Sequence, residues 1–198
     1  HLPYQRINTA TDYDFDFSKF PAYLSFDGVD DSMYSAASVD FTSTDKMTVF
    51  AGVHKASDAA PAAFVELSAN ALSTNGAFVL GAPFGTGTAT YDQYVRGTAV
   101  SGVTLGSTPA PTTNVITAVG DIAGDVNRIV RNGATSSQVS GDLGSGNFGN
   151  HVLYVGRRNN ADFPFNGRLY QLAIKGKALS AAEISTVEAL INSRTKAF

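Results

Sequence analysis

The chain has no cysteine and no tryptophan, and its only glutamates are Glu66, Glu183 and Glu188. Without cysteine there is no disulfide framework and no thiolate metal site. Fourteen Lys and Arg face seventeen Asp and Glu, for a net charge of -3. The cations are scattered, so no basic stripe exists to neutralise phosphates, which argues against nucleic acid as a partner. No apolar run approaches a membrane span, which argues against membrane insertion. There is no Asn-x-Ser/Thr acceptor sequence. The chain opens on His1 rather than Met, as expected of a fragment or a processed product, so the missing signal peptide says little about compartment.

What is present favours strands. The length of 198 residues suffices for one β-sandwich and is short for two ordinary domains. Glycine is abundant and Ala, Thr, Ser and Val dominate. Residues 1–21 are polar and irregular, with acid and aromatic alternating over Asp12–Phe17, and are expected to form an N-terminal arm or linker. Strand patterns then recur over Met47–His54, Ala63–Leu67, Ala77–Leu80, Tyr91–Val95, Val115–Val119 and Arg128–Arg131. Met47–His54 is apolar on both faces, as a central strand covered on both sides would be. Asn-Gly occurs at 75–76, 132–133 and 166–167, which predicts three hairpin turns. Residues 101–113 and 140–150 read as loops. Ser180 and Glu183 form a capping box that predicts a helix over about 181–193, with Ile184, Val187 and Ile191 facing inward and Glu188 outside that stripe.

Several motifs do not mature into sites. Gly144–Gly149 fits G-x-G-x-x-G, but no helical pattern follows it. Asp12, Asp14 and Asp16 have the spacing that opens an EF-hand, but the loop glycine is missing and Tyr23 stands where the bidentate glutamate belongs. The three histidines are far apart in sequence and form no H-x-x-x-H pair.

Two segments do carry chemistry. The turn Asp27–Gly28–Val29–Asp30–Asp31 gathers three carboxylates, Asp27, Asp30 and Asp31, which either offer hard oxygen ligands to Ca²⁺ or simply suit a tight turn. The loop Arg157–Phe165 combines Arg157, Arg158, Asn159, Asn160, Asp162 and Phe163. Fork donors, amides and an aromatic plane are what sugar recognition requires; the alternative reading has the paired arginines solvated or salt-bridged and the phenylalanines plugging the core. Tyr91 and Tyr94, with Arg96, form a second such group. The absence of tryptophan weakens any sugar-stacking surface. Glycoside hydrolysis needs two close carboxyls. The E-x-D-x-E strand motif of one glycosidase branch is absent, as is the G-x-S-x-G elbow. Catalysis would have to come from aspartates on different loops.

The order of segments resembles laminin-G-like, concanavalin-A-like lectin sandwiches over residues 22–193. The resemblance rests on Tyr23–Leu24–Ser25–Phe26–Asp27–Gly28–Val29–Asp30–Asp31, His151–Arg157, Phe165–Asn166–Gly167–Arg168–Leu169–Tyr170 and Leu179–Ser180–Ala181–Ala182–Glu183–Ile184. It implies an all-β fold over 22–198, a two-sheet antiparallel jelly-roll sandwich with one short C-terminal helix. It also implies a recognition module rather than an enzyme, with a rim where many relatives bind Ca²⁺. The opening Tyr4–Asp14 and the ending Ile191–Phe198 are similar to lectin-like parts of phage and prophage virion proteins, including tail and fibre components. That similarity implies a homo-oligomeric virion protein, found in the particle or in the infected bacterium before assembly. Its partner would be a bacterial surface polysaccharide, or other virion proteins if the role is structural or decorative. A glycan hydrolase or lyase with dispersed aspartates is the third expectation.

Overall fold

The computed structural model describes residues 22–198; the expected N-terminal arm lies outside the described residues. Strands and the helix are numbered in chain order. One antiparallel sheet runs β1 (Leu24–Asp27), β14 (Asn166–Lys175), β4 (Lys46–Lys55), β9 (Thr112–Asp121), β10 (Val126–Arg131), β11 (Thr135–Val139). The second runs β2 (Met33–Tyr34), β13 (Leu153–Val155), β5 (Ala63–Leu67), β6 (Ala77–Gly81), β7 (Tyr91–Arg96), β8 (Val100–Leu105). A short pair, β3 (Val39–Asp40) with β12 (Asn150–His151), stands apart from both. The helix α1 covers Ala181–Thr195. This is the expected two-sheet jelly-roll sandwich.

Alternation builds the core. Met47, Val49, Ala51 and Val53 of β4 point between the sheets and meet Phe64, Leu67, Phe78, Leu80 and Val95 from the second sheet. Their β4 neighbour Phe50 points the other way and is equally buried, because α1 covers that face with Ile184 and Ile191. The apolar character of both faces of β4 thus has its cause in a helix lying on the outside of the sheet.

The capping box forms as expected. Ser180 Oγ accepts from the Glu183 backbone N–H, and the Glu183 carboxylate accepts from the Ser180 backbone N–H at 2.8 Å. The inward stripe differs from expectation: Ile184, Glu188, Ile191 and Thr195 are the buried residues. Glu188 was expected outside; it faces β9, where its Oε1 accepts from the Thr117 hydroxyl at 2.6 Å. The helix sits close because Gly52 lies beneath it. A Cβ there would stand 2.2 Å from Thr195 Oγ1 and 3.0 Å from Ile191 Cγ2.

Only one of the three Asn-Gly pairs closes a tight hairpin. Asn132 and Gly133 take left-handed φ of 54° and 65° between β10 and β11. Asn75–Gly76 ends a longer loop into β6, and Asn166–Gly167 begins β14, paired with Asp27 and Phe26. The segment expected as a loop from 101 is in part the strand β8. Gly102 is needed inside it because the Tyr94 ring lies across that position, 2.4 Å from where a Cβ would be.

Candidate functional site

At one end of the sandwich β1 stops at Asp27 and β14 starts at Asn166, directly opposite. The turn that follows is held by its own carboxylates. Asp27 Oδ1 accepts from the Val29 N–H at 2.8 Å and the Asp30 N–H at 3.3 Å, and Asp31 Oδ2 accepts from the Asp27 N–H at 3.0 Å. Hydrogen bonds from backbone N–H groups, that of Val29 foremost, hold the Asp27 carboxyl below the ordinary carboxylate range. Gly28 has φ +78°, and a Cβ on it would press to 2.8 Å from the Asn166 Cβ. One ligand oxygen from each of Asp27, Asp30 and Asp31 lies within 4.8 Å of the others. The remaining oxygens of Asp27 and Asp31 and both of Asp30 take no hydrogen bond from the described residues. That donor set, hard and anionic, fits a divalent cation such as Ca²⁺.

The loop after β13 reaches this turn. The Ser32 hydroxyl hydrogen-bonds Asn160 Oδ1. Asn159, Asn160 and Asp162 are exposed, and both asparagines adopt left-handed backbone, as the loop's tight reversal requires. Arg157 folds back to donate to the Ala161 carbonyl. The turn and the loop, 130 residues apart in sequence when counted from Asp27 to Arg157, therefore form one rim.

Four of the sequence-predicted contact residues, Arg158, Phe163, Tyr91 and Tyr94, are not on that rim. Arg158 is 5 % exposed. Its Nε donates to Glu66 Oε2 at 2.8 Å, and its guanidinium lies 4.6 Å from the Phe163 ring centre and 5.1 Å from that of Phe84. Phe163, half-buried, serves as its cover. Tyr91 is wholly buried, edge-on to Phe64, and burial pushes its phenol well up. Tyr91 and Tyr94 are three positions apart in one strand and so occupy opposite faces. Tyr94 is on the outer face, half-buried, with its ring 5.2 Å from Phe84. They cannot act as one group.

Below the rim, Lys55 turns inward at the end of β4. Its ammonium pairs with Asp58 Oδ1 at 2.6 Å and donates to the Thr90 and Thr108 carbonyls at 3.0 and 2.7 Å. Burial pulls its pKa down and Asp58 pulls it up.

Neither buried carboxylate of the second sheet is free for acid–base work. Glu66 is held by Arg158 and by the Ala71 N–H at 2.6 Å. Asp92 accepts from the Phe84 N–H and the hydroxyls of Thr90 and Thr104 at 2.7–2.9 Å.

Sequence reasoning passed over Tyr34 and Tyr154. They pair across β2 and β13 with ring centres 6.2 Å apart. Tyr154 sits in a segment recognisable as a strand, but the two-residue β2 has no periodicity to read.

A sequence-family model, Laminin_G_3, described as the concanavalin A-like lectin/glucanases superfamily, matches residues 27–185. The chain belongs to this superfamily. No curated protein matches the sequence. Among solved structures, it is similar to a heptameric SAP-like pentraxin from Limulus polyphemus, at 13% identity and TM-score 0.63, covering 83% of this chain and 80% of that one. It is also similar to the CBM40 of the Ruminococcus gnavus IT-sialidase bound to α2,3 sialyllactose, at 14% identity and TM-score 0.56, covering 80% of this chain and 96% of that one. Mouse laminin α1 LG4-5 matches at 12% identity and TM-score 0.59, covering 80% of this chain and 42% of that one. These likenesses are of fold.

Proposed function

We propose that the chain is a non-catalytic carbohydrate-recognition module that binds glycan at the rim made by Asp27–Ser32 and Arg157–Asp162. The observation that carries this reading is the Ser32–Asn160 hydrogen bond, which joins the acidic turn to the amide-rich loop in a lectin-superfamily fold. A CBM40 of the same fold is bound to sialyllactose, and this supports a glycan partner. Asp27, Asp30 and Asp31 would hold Ca²⁺, which supplies a Lewis-acidic centre for vicinal hydroxyls. Asn159 and Asn160 donate and accept toward sugar hydroxyls. Following the similarity of its two ends to virion proteins, the glycan is a bacterial surface polysaccharide, and the module is displayed in several copies on a phage particle. Shallow, individually weak sites then act together. The test is a glycan array of capsule and lipopolysaccharide with the multimerised domain, run with Ca²⁺ and with chelator. Specific, chelator-sensitive binding is expected.

A second reading, a structural or decorative virion domain, is favoured by one observation: Arg158 and Arg157 are engaged internally rather than presented outward. Glycan-independent capture of another virion protein would favour it. Hydrolysis is set aside because Glu66 and Asp92 are already engaged.

A further inference from the structure

We propose that Tyr34 and Tyr154 form a stacking platform for a neutral pyranose on the outer face of the second sheet. This inference rests on the carbohydrate-recognition reading and gives it a second, specific contact surface.

Strand register places one row of residues across the sheet: Tyr34 opposite Tyr154, then Glu66, Val79, Tyr94 and Gly102. The row has two halves. Over β5–β7 it is roofed: Arg158 covers Glu66, while Phe163, Phe84 and Tyr94 pack with Val79. Over β2 and β13 it is open, and Tyr34 is 61% exposed. The two rings are inclined by 36°, which makes a shallow trough rather than a closed stack. Exposed Tyr34, with half-buried Tyr154 beside it, offers a π-face to the C–H face of a sugar.

The wall of the trough sets the class of sugar. Ser32, two residues before Tyr34, is tied to Asn160, which brings the loop carrying exposed Asn159 and Asn160 beside the open half. They suit hydroxyls as donors and acceptors. The charges at this wall are acidic: Asp30 and Asp162 are exposed and Asp31 is half-exposed. The two cations of the adjoining loop are withdrawn, Arg158 under its roof and Arg157 onto the Ala161 carbonyl. Even with one divalent ion held by Asp27, Asp30 and Asp31, these carboxylates and Asp162 leave the border net negative, so a carboxylated sugar would meet like charge. An apolar platform, amide walls and an acidic border together select an uncharged pyranose with a broad C–H face.

The experiment titrates the protein with cellotriose, chitotriose, lactose and 3′-sialyllactose, with Ca²⁺ and with chelator, following calorimetry and tyrosine fluorescence. Saturable binding of at least one neutral oligosaccharide is expected, with a change in tyrosine emission. Tyr34→Ala and Tyr154→Ala should each weaken it by about five- to tenfold, the loss of one stacked ring. Tyr154→Phe, which keeps the ring and protects against a folding artefact, should bind within a factor of about two. Unchanged affinity in both alanine variants overturns the platform and leaves the rim reading standing. Binding of 3′-sialyllactose in preference to lactose overturns the neutral class. Binding of none of the four saccharides, in either buffer, overturns the platform, while the array of bacterial polysaccharides decides the rim separately.

Discussion

Arg158 and Glu66, 92 positions apart, form a buried ion pair on the outer face of the second sheet, with Nε 2.8 Å from Oε2. Their partners define what each would lose. Glu66 also takes the Ala71 N–H, and Arg158 packs against both Phe84 and Phe163, whose rings touch each other. Arg158→Ala should therefore destabilise the fold by about 3–5 kcal/mol, because it leaves a buried carboxylate without its counter-ion. Replacing both with apolar residues, as in Arg158→Met with Glu66→Leu, should cost clearly less than either single change. Urea unfolding of the two single variants and the double variant decides this. Additive losses would show that the pair is not coupled.

Helix docking depends on a missing side chain. Gly52→Ala would drive a methyl into Thr195, so a loss of about 1–3 kcal/mol is expected from overpacking. Thr195→Ala in the same chain makes room for that methyl. The double variant should recover part of the loss, and a thermodynamic cycle measures the coupling. No recovery would mean that Ile191, the next contact at 3.0 Å, is what resists.

If the acidic turn holds Ca²⁺, the ion stabilises the folded chain by linkage. At one hundred times the dissociation constant the gain is about 2.7 kcal/mol. The melting temperature should rise with Ca²⁺ and fall back with chelator, and Asp30→Asn should abolish the response while leaving the metal-free melting point nearly unchanged. A melting temperature indifferent to Ca²⁺ removes the metal from the proposed site.

Glu183 gives the pH dependence its sign. The Ser180 backbone N–H, with the Ser180 hydroxyl and Lys177, holds this carboxyl down at about 2 against an ordinary 4.5. A depressed carboxyl adds stability above its unfolded value, and that contribution is lost as pH falls through the folded value. Helix α1 should therefore weaken between about pH 4.5 and pH 2. Ser180→Ala should return Glu183 toward its ordinary titration, seen by carbon NMR, and cost about 1 kcal/mol from the lost cap. A Glu183 titration near 4.5 in the parent chain would contradict the capping geometry.

Local rules were readable in the sequence wherever one element supplied its own evidence. The two apolar faces of Met47–His54, the capping box and the Asn132–Gly133 hairpin all needed only neighbouring residues. Long-range pairing was not readable. Glu188 passed for a solvated residue because its partner Thr117 lies 71 positions away. Asn166–Gly167 passed for a turn because nothing local shows that Asp27 and Phe26 arrive beside it. At the candidate site the same division holds: the acidic turn and the Arg-Asn loop stood out by composition. That Arg158 folds onto Glu66 depends on a loop closing over the sheet, and that Tyr34 meets Tyr154 depends on strand register; no single segment encodes either.

Lys55 has a consequence for the whole end of the sandwich that carries the rim. One ammonium grips Asp58 from the β4–β5 loop, Thr90 from the β6–β7 loop and Thr108 from the β8–β9 loop. Three loops that would otherwise fluctuate separately are thus fastened at a single point and lose their freedom when the chain folds rather than when a ligand arrives. On the proposed reading, a glycan arriving at the rim meets beneath it a framework with little left to order, so even a few contacts can be selective without a large entropic penalty on binding.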